Sequence, residues 1–578
     1  MGEFVGIDPR QAELLMREMA GGQAVLGRAR PGLEAAIAEA GPSWTGPAGT
    51  TAMHKSWAFL DETQRDLKWR VDTLRQMVPG TGLLSGSLPF ISETEAARQG
   101  TADGRRIADA LKKLEIDHTP ETWSAVTTAA AAANSHLNDP AYAAALLNAL
   151  GPDRFRALFM HWMKNRGPAM DKGLPPGVLQ QSGLGPLAQA YTNAERAGRL
   201  DAEWLDAFLK TTQPGVLTAM ITLAARPSSR LLNQVATRVL GRPLAADLPT
   251  SPNWNLNALV DAYSKDPAAL QTLLATNKNA AGWLLHPQRI QLSGIDGLQT
   301  KLAAVLDQAL SQGPHRDQAM FNIIRTMGAE DSPWISTDWG IWRDSPISET
   351  LATNMGPYLD QLARAQSKRD SPELTAIFPT SPWDTLTPDD ASRFVGVLMQ
   401  DSDAARLLMK ASQDYTLGLD IGRFRPFGDE ATQDQYTSRA ALAGGVANLM
   451  LSGTTYAEWA DDEYVDWVAG VALLPVTWLS NKYWPIQDPT AATGRDIGLD
   501  AAKDGVKGAI TDYLDKKTPA TAETVADGIV ARQAEWVQDS LTQHGQKPLT
   551  AAQENEVRMA FRGRLYDALL KALRQRGG

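Results

Sequence analysis

The chain has no cysteine among its 578 residues. That absence excludes disulfides, thiolate metal sites and a cysteine nucleophile together. It also has no basic excess: 56 Lys and Arg stand against 66 Asp and Glu, a net charge of −10. Such a balance argues against a nucleic-acid partner bound by covering phosphates. The opening Met-Gly-Glu-Phe-Val-Gly-Ile-Asp lacks a basic region leading into an apolar one, so no cleaved secretory signal is expected. Location is thereby left open between the cytoplasm and export by another route. Alternating runs of β-branched residues, the mark of strands, are missing as well.

What is present is helix after helix. The length implies two to four domains, and the apolar and charged fractions are those of a folded globular protein. From about 96 to 420 one unit recurs, in which an Asp and a helix-starting residue introduce an Ala/Leu helix. It appears at Asp139-Pro140, Asp266-Pro267 and Asp401-Ser402. Asp caps exposed N–H groups there, and Pro or Ser suits the first turn. A second recurring element is Ser-Pro followed by tryptophan, at Trp254, Trp334 and Trp383, where the indole is expected to dock on a neighbouring helix. The spacing exceeds any short-period solenoid and suggests a duplicated multi-helix domain. The expected fold is all-α: a helical hairpin over 1–80, a linker over 81–95, a helical body over 96–430 and a helical C-terminal domain over 431–578. The Pro/Gly-rich stretch 168–186 is expected to be an internal boundary.

The hairpin is read from two apolar stripes. Leu15, Met19, Leu26, Leu33 and Ile37 recur at steps of four or seven, and Trp57, Leu60, Leu67, Val71, Leu74 and Val78 at steps of three, four or seven. Each set shares one helical face. Between them stands Trp44-Thr45-Gly46. Gly46 permits a sharp reversal, Pro47 suits the first turn of the second helix, and Trp44 is placed to cover the junction. Pro31 is expected to kink or end the first helix.

Trp44-x-Gly46 between two amphipathic helices of matched length resembles the Trp-x-Gly (WXG) family of small hairpins exported by type VII, or ESX, secretion. The resemblance covers roughly residues 1–80, and hairpin plus long helical body is similar to large actinobacterial proteins of that kind. It implies an interaction surface on the hairpin, with Trp44, Gly46, Trp57, Leu60, Leu67, Val71 and Leu74 contacting the chain's own body, a second copy or a small partner hairpin. The Tyr-x-x-x-Asp/Glu export signal of the family is not matched after the second helix, where Trp69-Arg70-Val71-Asp72 has the wrong spacing. Tyr191…Glu195 has the right spacing far downstream.

Chemistry is harder to find. The seven histidines (His54, His118, His136, His161, His286, His315 and His544) form no paired-ligand spacing, and no phosphate-binding glycine loop is present. His161, beside Trp162, is expected to pack between helices. Ser85 fails the nucleophile-elbow spacing, and paired acids such as Asp389-Asp390 are expected to cap helices or face water. No catalytic residue, cofactor or metal is therefore assigned. The expectation is a non-enzymatic binding or assembly protein associated with type VII-like secretion. The competing expectation is a secreted toxin or delivery scaffold with its activity in 431–578.

Residues 440–484 bear on that second reading. Two uncharged runs, carrying Leu442 and Leu449 and then Leu473 and Leu474, flank an acidic tip with Asp461, Asp462 and Glu463. Acid-triggered insertion hairpins have this layout. Each run is shorter than the roughly twenty apolar residues of a span, and Pro475 interrupts the second, so a core hairpin is favoured over a membrane one. Anionic liposomes at about pH 5 are therefore expected to retain a trapped dye. Leakage that disappears when Leu473 and Leu474 are both changed to Lys would establish insertion instead.

Overall fold

The computed structural model describes residues 4–40, 47–77, 84–164, 166–167, 169–210, 213–224, 226–241, 253–291, 293–335, 344–368 and 381–419. Beyond these it describes only 439, 442, 445–446, 449–450, 453 and 550–551. Trp44, Gly46, Val78, Asp461, Asp462, Glu463, Leu473 and Leu474 lie outside the described residues, as does nearly all of 454–578.

The fold is all-α, with one two-stranded exception among the described residues. Two compact units divide the chain: Met1–Ala269 with Ser293–Ile295, and Leu270–Leu292 with Asp296–Gly578. No helix among the described residues is long and apolar enough to cross a membrane.

The first unit opens with β1 (Phe4–Ile7), then α1 (Pro9–Ala40), α2 (Pro47–Met77) and β2 (Leu84–Ser87). The strands pair antiparallel, Phe4 opposite Ser87 and Ile7 opposite Leu84. The ribbon thus ties together the two chain ends of the helical pair. Its first strand falls within the segment expected as hairpin (1–80) and its second within the expected linker (81–95), because four-residue strands carry too few alternations to register as a period. Ser85 sits inside it, opposite Gly6. Helix α1 runs through Pro31 without ending. The ring is exposed, as is Gly27 one turn earlier, so water can satisfy the carbonyl whose helical bond the proline removes. Pro47 is the first residue of α2, where a missing N–H costs nothing.

Three helices follow and pack together: α3 (Glu93–Ile116), α4 (Pro120–Ala132) and α5 (Pro140–Leu150), with α3 against both others. Ser92 caps α3, Thr119 and Thr122 form a reciprocal capping box on α4, and Asp139 caps α5 ahead of Pro140. Helices α3 and α5 touch backbone to backbone. A Cβ on Gly100 would lie 2.3 Å from the Tyr142 carbonyl oxygen, and one on Gly104 2.3 Å from that of Leu146. Only glycine fits at either position.

Next comes α6 (Pro152–Lys164), whose Phe155 meets Tyr191, Trp204 and Phe208 at ring separations of 5.3–6.0 Å. The stretch 168–186 is not a boundary. It holds short helices at Ala169–Lys172 and Pro176–Gln180 with Ala169, Lys172 and Leu179 buried, and the Ala169 carbonyl abuts Gly215. Pro and Gly serve here as capping and close-packing residues inside one unit.

A shared arrangement occurs in both units. In the helix Gly185–Arg196, Gln189 donates to Asn193, which donates to the Leu137 carbonyl at 2.7 Å. In the helix Arg316–Met327 of the second unit, Gln318 donates to Asn322, which donates to the Leu274 carbonyl at 2.8 Å. A tryptophan follows each asparagine. Trp204 donates its indole N–H to Asn148, and Trp334 donates to the Leu285 carbonyl. Trp383 stacks on Tyr358 at 5.2 Å. In the second unit, Leu442, Val446, Leu449 and Met450 are buried, and a Cβ on Gly453 would meet Val395.

The glycine contact gives the fold its sharpest test. Gly100→Ala or Gly104→Ala forces α3 away from α5 and is expected to destabilise the first unit by about 1–3 kcal/mol. Calorimetry should show a lowered unfolding temperature. A gain in stability, the usual result of Gly→Ala within a helix, would show that the helices are not in contact.

Candidate functional site: the helical hairpin and its junction

Helices α1 and α2 lie antiparallel. Arg75 pairs with Glu13 at 2.5 Å, Gln64 donates to the Met16 carbonyl at 3.3 Å, and Gln23 donates to Asp61 at 3.4 Å. The ion pair holds the Glu13 carboxyl below the usual carboxylate range, through the hydrogen bond first and the charge second. At 1.5 Å per residue the pair extends roughly 45 Å.

Burial along this pair is sharply graded. From residue 13 to residue 68 no described side chain is buried. Met19, Leu26, Leu33 and Ile37 of α1 and Leu60 and Leu67 of α2 are half-buried in the seam. Leu15 departs from its expected place: it is 45 % exposed, and Ala12 and Met16 occupy the seam at that level instead. Leu15 and Met16 stand four and three residues before Met19, and helical spacing admits either, so packing alone selects Met16. Five of the eight large exposed hydrophobics of the described chain lie on this pair: Leu14, Leu15, Val25, Trp57 and Phe59. Near the far end, a groove of about 660 Å³ runs between the helices, lined by Leu26, Arg30, Met53, His54 and Trp57 among others.

Past residue 68 the picture reverses. Trp69, Val71, Thr73 and Leu74 are all essentially inaccessible, and Leu74 packs against Gly86 of β2. Val71 and Leu74 are therefore occupied within the chain and present nothing to a partner. Trp69 donates its indole N–H to Asp139 at 2.9 Å. The other Asp139 oxygen accepts the N–H groups of Ala141 and Tyr142 at 2.9 and 3.0 Å. Burial pushes the Asp139 carboxyl above its ordinary range, and the donors from Tyr142, Trp69 and Ala141 work against that shift. Alongside, the Tyr142 hydroxyl donates to Asp103 at 2.6 Å, and Arg106 pairs with Asp103 at 2.9 Å. The sequence signalled Asp139 as a cap, but nothing local tied it to Trp69, seventy positions away.

The other two aspartate caps behave alike. Asp266 accepts from the Ala269 N–H and from the Ser229 hydroxyl. Asp401 accepts from the Ala404 and Ser345 N–H groups. In each case one oxygen closes a helix and the other holds a distant segment.

The remaining candidates scatter. Tyr191 and Glu195 are both buried, which leaves their Tyr-x-x-x-Glu spacing inaccessible as a signal. Burial raises the Glu195 carboxyl, with the Ser228 hydroxyl and then Arg230 opposing. His136 packs against Phe90 and Tyr142. His286 sits beside Trp334, and burial followed by the charge of Arg289 lowers its pKa to about 4. Asp390 lies in the first turn of the helix Pro388–Leu398 and pairs with Arg393. His118 and His161 come together on the surface of the first unit.

No family model, curated protein or solved structure matches the chain.

Removing the indole N–H isolates its contribution. Trp69→Phe leaves one oxygen of a buried carboxyl without its donor and is expected to cost about 1–3 kcal/mol. Trp57→Ala, on the exposed flank, should stay within about 0.5 kcal/mol. Thermal unfolding of both variants checks the contrast, and equal effects would remove the distinction between anchored base and open end.

Proposed function

We propose that the chain is a non-enzymatic binding and assembly protein whose far hairpin end docks a helical protein partner, in a type VII-like secretion setting. The observation that carries the binding role is the absence of a buried side chain from residue 13 to residue 68 of the described hairpin. A helix in a folded domain normally buries one stripe against neighbours. Over this stretch, among the described residues, each helix packs on the other, and half-buried Leu26, Leu33, Leu60 and Leu67 form a seam with no third layer. Exposed Val25, Trp57 and Phe59 flank it. Large apolar groups left exposed on a surface are a feature of interaction sites, and aromatic residues dominate their energetics. The secretion setting rests on the resemblance of the Trp44-x-Gly46 hairpin to the WXG family.

The partner surface proposed here is narrower than the sequence stripe. It comprises Trp57, Leu60 and Leu67 with Val25 and Phe59, and omits the internally packed Val71 and Leu74. The triple change of Val25, Trp57 and Phe59 to Ser is expected to abolish co-purification with WXG-type helical hairpins encoded beside the chain, while the unfolding temperature stays unchanged. Loss of one aromatic anchor alone is expected to cost about 2 kcal/mol or more of binding. Wild-type levels of complex from the triple variant would refute the assignment.

A further inference from the structure

The groove near the far end of the hairpin has helices for both walls. Leu26, Gly27, Arg30 and Glu34 of α1 follow at steps of one, three and four, and Thr50, Met53, His54 and Trp57 of α2 at steps of three, one and three. Each helix therefore lends the groove one continuous face. Leu26, Met53 and Trp57 give it an apolar floor. A Cβ on Gly27 would meet nothing within 4 Å, so the glycine leaves the α1 wall open. One turn nearer the base, Gln23 donates to Asp61 at 3.4 Å and bridges the two helices.

The rim is charged unevenly. Arg30 is held by Glu34 of its own helix at 2.7 Å, whereas Lys55 on the opposite wall pairs with no acid among the described residues. Arg30 and Lys55 against Glu34 leave a cationic excess lining the groove, in a chain whose net charge is −10.

Backbone groups decide the shape of an occupant. Helical walls use their N–H and C=O groups internally, so an extended peptide finds no strand edge to pair with. A third helix brings its own backbone bonds and can lay a ridge of side chains between α1 and α2. Building on the docking role proposed above, we propose that the groove takes an acidic amphipathic helix of a protein partner. Its apolar stripe covers Leu26, Met53 and Trp57, and Asp or Glu beside the stripe faces Arg30 and Lys55. The flexible thioether of Met53 adapts to the incoming side chains, and Trp57 is the anchor. Exposed ion pairs add little affinity apiece, so charge here selects the partner and apolar contact holds it.

Two helical peptides of about 20 residues test this on the full-length chain by fluorescence anisotropy. Both carry Leu at i, i+3, i+4 and i+7; Glu flanks the stripe in one and Lys in the other. The Glu peptide is expected to bind, and the Lys peptide at least about fivefold more weakly, a gap that closes at about 0.5 M salt. Lys55→Glu should cut the preference below about twofold. Gly27→Phe should fill the groove and abolish binding of both peptides. Both positions are exposed, and an unchanged unfolding temperature checks that each variant folds. Equal binding of the two peptides, or Glu-peptide binding untouched by Gly27→Phe, would overturn the inference. So would a wild-type dimer in ultracentrifugation that Gly27→Phe makes monomeric, since a second copy would then be the occupant. If neither peptide binds while a helical hairpin still co-purifies, the groove inference falls and the docking role stands. Loss of all binding removes both.

Discussion

The first unit depends on a single carboxylate. Asp139 must satisfy the N–H groups that open α5, and its remaining oxygen meets the indole of Trp69 at the root of the hairpin. A buried carboxylate is costly unless its lone pairs are used. The helix start and the hairpin attachment therefore stabilise each other: without the indole the cap is left partly unpaired, and without the cap the indole loses its acceptor. The close approach of α3 and α5 through Gly100 and Gly104 sets the position of that cap, so backbone contact, helix start and hairpin root form one connected arrangement.

Against this anchored base, the far end of the hairpin is thinly held. Burying a seam between two helices stabilises less than burying a helix in a multilayer core, since each side chain keeps one open flank. The ion pair of Arg75 with Glu13 lies near the base and is solvent-exposed, where such pairs contribute little. The open end thus has apolar surface to offer a partner and little of its own to lose by binding one. That asymmetry is why a binding role is proposed for the far half, while Trp69, Val71 and Leu74 pack within the chain.

The two units use similar means to different ends. Gln189 with Asn193, and Gln318 with Asn322, each pin an amide side chain to a backbone carbonyl, and Trp204 and Trp334 follow with an indole bond. Amide and indole groups buried this way specify geometry, because a shifted register would strand a polar group away from water. Among the described residues, the hairpin and the facing His118 and His161 belong to the first unit.

Helix content, the aspartate caps and the existence of a helical pair were legible in the sequence, because capping chemistry and apolar spacing act over a few residues. Pro47 at the start of α2 and Asp139 at the start of α5 needed no tertiary information. The strand ribbon is not legible because four residues make no period, and the helix continues through Pro31 because the tolerance of a proline depends on which way the unpaired carbonyl faces. The site was less legible. Periodicity placed Leu15 in the seam and Leu74 on a partner surface, yet spacing names a face without saying what covers it. Only the tertiary structure, by bringing Trp69 onto Asp139 and β2 onto Leu74, decided where the stripe is used up and where it is left open. Contacts across seventy residues are set by the packing of whole helices, and no local pattern encodes them.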